Sequence, residues 1–437
     1  MELSRPQLII IGTGILIVLF FVGIFTGVIP GLKIVPDVPP RIVLTIWGIE
    51  DLNLFENNFR LYNQFQPNIT VNYKRMNPDT LETDLISALA TKKGPDIVMF
   101  HSAWLPKHSD KIVPAKEDQI SADSLDQQFP DVIKTDFSSS GKVYALPLFI
   151  DTLALFYNRD IFDKNGVALE PQDWLDFQNI VDKLKRQDTL GNLTKPAAAI
   201  GGSNRSMDRA SDLLMLIMLQ AGTKMTDNEF TRATFTDNVE GRKAGLDGLN
   251  FYTKFSNPDD MAYTWNDDQE YSLDSFAKGN VAMIFNYASQ KEAILAKNPF
   301  LNFRVAATPQ PSTTEKAVNY SDYWGLAVTN NSPNPDWAWN LVLFLTTYEK
   351  AAEDYMIASN HPPALRSLIQ KYVNHPELGV FAKQALSAKS WSRIDKESVD
   401  KIFSEMIEAI VSGKLKREDA LLQAEKQVTG LMQQQQE

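Results

Sequence analysis

The segment from residue 42 to residue 100 alternates between two hydrophobic periods, and that alternation restricts the fold more than any other feature. "IVLTIW" (42–47) is short and β-branched, as strands are. Phe55, Phe59, Tyr62 and Phe65 then recur at helical spacing. "ITVNY" (69–73) alternates like a strand. "NPDTLETDLISALATKKG" predicts a helix with Asn77 as N-cap, Pro78 at its first position and Gly94 as its left-handed terminator. "DIVMF" (96–100) is the next strand. A β-α-β-α-β order implies a parallel sheet with helices on both faces. Ligands of such sheets bind beyond the carboxyl ends of the strands. Here those ends are followed by "GIED" (48–51) and "HSAW" (101–104), which makes Trp47, Glu50, Ser102 and Trp104 candidate contacts.

A similar unit comes later. "YSLDSFAKGNVAMIFNYASQ" predicts an amphipathic helix closed by Gly279, then a strand over 281–285, and the same strand-end rule marks Asn286 and Tyr287. "FRVAATPQP" follows as strand and turn, and beyond Pro335 the pattern is mostly helical up to a low-complexity "QQQQE" tail.

Ahead of all this, residues 8–29 form an uncharged apolar run, longer than the roughly 20 residues that span a hydrocarbon core. The run ends in "VIPGLK" without a small-x-small cleavage site, so an uncleaved transmembrane anchor is expected rather than a signal peptide. Arg5 before it favours an inside N-terminus, which puts the body outside the cytoplasm, although Lys33 on the far side weakens that preference. The linker 30–41 contains "IVPDVPPR", a stiff proline-rich spacer.

Composition then narrows the function. A net charge of −11 argues against nucleic acid as a partner. The absence of cysteine excludes disulfides, thiolate metal sites, a cysteine nucleophile and a lipidated N-terminal cysteine. The sequence has no G-x-S-x-G, H-E-x-x-H or phosphate-loop motif, and its four histidines are not spaced as metal ligands. No catalytic residue, metal or cofactor is therefore assigned. Aromatic residues flanked by polar or small ones are abundant instead: Trp47, Trp104, Trp265, Tyr287, Trp324 and Trp391. Flat aromatic faces beside amides and carboxylates suit sugar rings. Trp337 and Trp339, in an apolar helix, are expected to be core.

These stretches resemble the extracellular solute-binding proteins of ABC importers, in the family that includes maltose- and oligosaccharide-binding proteins. "GPDIVMFHSAW" is similar to the family's segment after the second helix. "GKVYALPLFIDTLALFYNRDIFDKNGVALEPQDWLDF" is the most specific match, and "FAKGNVAMIF" and "YWGLAVTNNSPNPDWAWNLVLFL" follow in the family's order. Where Gram-positive relatives carry a lipobox cysteine, this chain has an apolar run. The resemblance implies an α/β, two-lobed periplasmic-binding-protein-like fold with an interlobe cleft, preceded by an N-terminal transmembrane helix at 8–29. It places the first crossover just after Leu146-Pro147, a return near "VAATPQP" and a last crossover near "GLAVTNN". The lobes are then 42–149 with 306–328, and 150–305 with 329–437. It also implies ABC transporter permease subunits as partners, a carbohydrate ligand and a monomer in the cell membrane.

Two other classes stay open: a surface polysaccharide-acting enzyme, which turnover of a bound glycan would reveal, and a clamp-like sensor or adhesin without a transporter. One residue sharpens the expectation. Asp151 stands alone in the apolar run "LPLFIDTLALFYN", where burial of a charge is costly. If the chain crosses between lobes there, Asp151 lies at the cleft mouth and accepts ligand hydroxyls. Otherwise it caps a turn or pairs with Arg159. Trp324 and Trp391 are placed at or facing the same cleft, as is Trp265.

Overall fold

A computed structural model describes residues 4–25, 41–312 and 316–434. The N-terminal run forms one helix, α1 (Arg5–Phe25), which packs against nothing in the body. The last residues of the apolar run and the spacer up to Pro40 lie outside the described residues, as do the final three of the tail.

The first sheet is built as the alternation requires. β1 (Ile42–Gly48) pairs in parallel with β2 (Ile69–Arg75) and β3 (Ile97–His101), joined by α2 (Glu56–Phe65) and α3 (Leu81–Ala90). α3 begins and ends differently from its sequence signals. Asn77 accepts the Asp79 N–H in a tight turn, so the helix starts after Thr80, and Lys92, not Gly94, takes the left-handed conformation at its end (φ 55°). β4 (Ala145–Pro147) and β8 (Trp324–Val328) complete this sheet, β8 running antiparallel to both β3 and β4. A second sheet has β5 (Ala154–Asn158) at its centre, flanked antiparallel by β6 (Met283–Asn286) and β7 (Phe303–Ala306).

Each sheet organises its own apolar core. The core of the first contains Leu44, Ile46 and Phe100 from the strands. It also contains Trp339, Leu341 and Val342 from α6 (Pro335–Thr347), Tyr355 from α7 (Glu349–Ser359), and Leu368 and Ile369 from α8 (Arg366–Tyr372). The core of the second contains Phe156, Phe285 and Ala306, with Phe177 from α4 (Trp174–Leu184), Leu213 from α5 (Ala210–Gln220), Phe403 from α9 (Lys396–Val411) and Val428 from α10 (Arg417–Gln434).

This packing corrects the expected lobe boundaries. Residues 335–372 cover the first core rather than the second, because α6 and α7 pack beside α2, where Tyr62 meets the Phe344 ring (5.1 Å) and the Asn340 side chain (2.9 Å). The segment around Ala306 stays with the second core, so the return occurs at 321–324 and not near "VAATPQP". The last crossover lies near 388–391 and not near "GLAVTNN". Trp339 is core as expected, while Trp337 is half-buried against the same cluster.

Three segments thus cross between lobes, and they bind one another. Leu148 N–H donates to Trp324 O (3.1 Å), Asp322 N–H to Asp151 O (3.1 Å) and Leu153 N–H to Tyr320 O (2.9 Å). Ser321 N–H donates in turn to Lys389 O (3.1 Å). At the first-lobe end of this ribbon stands Gly325. A Cβ there would fall on the Leu146 carbonyl oxygen and 2.7 Å from the Phe137 ring. Overpacking of this kind costs about 1–3 kcal/mol. Gly325→Ala should therefore lower the urea midpoint by that order, and an unchanged midpoint would show that β4 and β8 can separate freely.

Candidate functional site

Two buried carboxylates fix the crossovers to the lobes. Asp151 Oδ1 accepts the N–H of Thr152 (2.9 Å) and of Ala288 (2.9 Å), and Oδ2 accepts the N–H of Ser289 (3.1 Å). The acid that looked misplaced in an apolar run therefore caps the helical turn after β6, tying the first crossover to the second lobe. It does not pair with Arg159, which binds Asp163 at 2.6 Å. Asp136, from the first lobe, accepts the Tyr323 hydroxyl (2.6 Å) and the Ser390 hydroxyl, one from each of the other two crossovers. Burial pushes the Asp151 carboxyl up to about 6 in spite of its backbone donors. It pushes Asp136 up to about 7, against the two hydroxyls.

Above these acids a cleft of about 530 Å³ opens between the lobes, within the size range of small-molecule sites. The first lobe contributes Glu50 and Asp51 beyond β1, Arg75 at the end of β2, and His361 after α7. His361 stacks on Phe149 (centroids 3.9 Å, 4° between planes) and meets Glu50 Oε1 at 2.7 Å. Arg75 pairs with Asp51. The second lobe contributes Arg209, Tyr287, Lys291 and Glu292, with Lys291 bound to Glu377 at 2.7 Å. Arg209 precedes a helix (Ala210–Gln220) in the left-handed conformation (φ 60°), a strained position for a residue with a side chain. Its guanidinium lies 5.3 Å over the Tyr287 ring and 3.7 Å from Asp208, and its Nε is buried without a hydrogen bond, as is Nδ1 of His361.

The crossover itself supplies Asp322 and Trp324. His101 bonds Asp322 and stands edge-on to Trp324 (4.9 Å, 84°), and Trp104 backs the same ring (5.2 Å, 79°). Burial opposes the charge on Asp322, but His101 and Lys396 outweigh it and hold the carboxyl well below the usual range. Burial likewise drives the His101 imidazole below its ordinary value, more strongly than Asp322 raises it.

Of the ten residues singled out from the sequence, the structure brings Glu50, Asp151, Tyr287 and Trp324 to the cleft wall. Asp151 and Tyr287 are there almost without exposure, the tyrosine bonding Asp212 (3.1 Å) beneath Arg209. Trp104 and Ser102 sit one layer behind: the indole supports Trp324, and the Ser102 N–H bonds Tyr323 O (3.0 Å). Asn286 is buried, holding Asp208 (3.0 Å). Trp47 is half-buried under Lys74 and does not line the cleft. Trp265 and Trp391 belong to the second core, where Trp265 bonds Ser206 (3.0 Å) and Trp391 meets Phe235 edge-on. Residues missed from the sequence are Arg75, Phe149, Arg209, Lys291, Asp322 and His361. Arg75 was open to the strand-end rule, since it closes β2. Phe149 lies in the run that contains Asp151. The others come from turns and helix ends that carry no such signal.

With this geometry in view, the family can be stated. Residues 60–379 match the family model for bacterial extracellular solute-binding proteins, and the chain belongs to that family. A binding protein of Brucella abortus is 22% identical over 376 residues, covering 82% of this chain and 85% of its own. Solved structures share the fold. The cyclic α-maltosyl-1,6-maltose binding protein of Arthrobacter globiformis superposes with a TM-score of 0.75 at 19% identity, covering 91% of this chain and all of its own. A sugar-binding protein from Xanthomonas citri gives 0.75 at 16% identity, covering 90% and 98%.

The two hinge acids differ in what replaces them. An amide at position 151 turns an NH₂ toward backbone donors, and an unsatisfied buried donor costs about 1–3 kcal/mol. Asp151→Asn should destabilise the chain by that order in chemical unfolding, and a neutral change would show that the carboxylate is dispensable as a cap. Asp136 faces hydroxyls, which can also accept from an amide. Its folded carboxyl is raised above the unfolded value near 4, so its contribution is complete below that pH and is lost as pH rises through about 7. Asp136→Asn should therefore gain stability relative to the native chain between pH 4 and 8. A difference that is flat across that window would contradict a buried, proton-retaining acid.

Proposed function

We propose that this chain is the substrate-binding subunit of an ABC-type sugar importer, held at the membrane by α1 with its lobes outside the cell. The observation that carries the reading is the half-buried indole of Trp324 in an interlobe cleft, flanked by Asp322 and by the unspent donors of Arg209. A pyranose can lay its C–H face on the indole while its hydroxyls donate to the carboxylate and accept from the guanidinium. Because Arg209 belongs to the second lobe and Trp324 to the first sheet, one ligand touching both favours the closed arrangement over the open one. Binding to that cleft needs no chemistry.

The relatives support a saccharide. One curated relative, 25% identical over 133 residues, is a maltotriose-binding protein of Pyrococcus abyssi, and structures of the same fold hold maltotetraose and mannobiose. The length and apolarity of α1, with mean hydropathy 2.6, support anchoring. The test is thermal-shift screening of the detergent-solubilised chain against mono- and oligosaccharides, followed by calorimetry on the best ligand. Trp324→Ala should weaken that ligand by about 2 kcal/mol or more, as buried aromatic anchors do, with an unchanged melting temperature in its absence. No saccharide shifting the melt, or turnover of a glycan, would sink the reading.

A further inference from the structure

The first lobe bears its cleft at one end of the sheet and an aromatic surface at the other. α2 ends at Phe65, shortly before β2 begins, and the Ile42 N–H bonds the Asn68 carbonyl (3.0 Å). The last turn of α2 therefore lies beside the point where the chain coming from α1 joins the body. There Phe65 is 57% exposed and Tyr348 43% exposed, with Phe344 half-buried between them. The rings touch in pairs, Phe65 to Phe344 at 5.9 Å, Phe65 to Tyr348 at 6.0 Å and Phe344 to Tyr348 at 5.3 Å, around a groove of about 400 Å³. Two exposed rings joined by a half-buried third form a contiguous aromatic patch on the body. Arg41, before β1, and Lys92 and Lys93, before β3, are exposed at the same sheet edge. None of the three forms an ion pair among the described residues.

We propose that this Phe65–Phe344–Tyr348 face rests in the headgroup region of the bilayer that holds α1. The proposal rests on the anchoring read above. Residues 26–41 join α1 to β1, so this end of the sheet is where the chain coming from the anchor enters the body. Tyrosine beside other aromatic rings, with cations at the same end of the sheet, is a composition the interface favours. The opposite end of β1 leads to Glu50 and Asp51 in the cleft wall, so contact through the aromatic face leaves the cleft at the end of the lobe away from the bilayer.

The experiment uses the full chain in vesicles of phosphatidylcholine and phosphatidylglycerol, with and without brominated acyl chains. Phe65→Trp places an indole on the face, and the native chain gives the background of its own tryptophans, none of which lies in α1. The added indole should emit to the blue and lose most of its emission to brominated lipid. Adding Phe344→Ser and Tyr348→Ser should abolish that quenching. A solvent-like, unquenched indole on a chain that resists alkaline carbonate washing overturns the proposal and leaves the anchor intact. A blue shift without quenching that grows with protein density means a second copy covers the face, which also overturns it. A chain that washes off overturns the anchor and this inference together.

Discussion

The hinge depends on carboxylates placed where apolar packing cannot act. Three extended segments pass between two separate cores, and extended backbone leaves polar groups that each lobe must satisfy. Asp151 answers the exposed N–H groups at a helical turn of the second lobe, and Asp136 answers hydroxyls on the other two crossovers. Burial raises both acids, so each contributes through geometry more than through charge. Backbone ladders set the register of the segments, and the acids hold that ribbon to one lobe on each side.

That joint explains how the cleft is composed. Its wall comes from the crossovers, strand ends, turns and helix ends, and much of it is already paired: His361 with Glu50, Arg75 with Asp51, Lys291 with Glu377. Pairing keeps these groups oriented and limits the desolvation a ligand must cause. Among the described residues, the buried polar atoms of the cleft wall without a hydrogen bond include Arg209 Nε in one lobe and Glu50 Oε2 and His361 Nδ1 in the other. They surround a single indole, itself held edge-on by His101 and Trp104.

Much of the first sheet was legible in the sequence because its strands and helices switch period cleanly between residues 42 and 101. The strand-end rule then marked Glu50 and Tyr287, and the aromatics flanked by polar or small residues included Trp324. It could not tell a ring that faces the cleft from one that props it, which is why Trp104 and Tyr287 prove to be supports. Trp265 and Trp391 were singled out by their polar neighbours, but both indoles are buried in the second core. The boundaries failed for a different reason. Amphipathic helices such as α6 to α8 carry an apolar face without saying which core it meets, and here α2 and the strands of the first sheet receive it. Asp151 was read as a ligand contact because its backbone partners, Ala288 and Ser289, lie 137 and 138 residues away.

An odd number of crossovers has a mechanical consequence. The chain begins in one jaw and finishes in the other, so α1 is continuous with the first lobe while α10 rides on the second. Whatever α1 is fixed to, only one jaw is grounded, and closure becomes a swing of the free jaw measured against that ground. The carboxyl terminus is then the tip of a lever, and a fluorophore placed there would translate a few degrees of hinge rotation into a change of height.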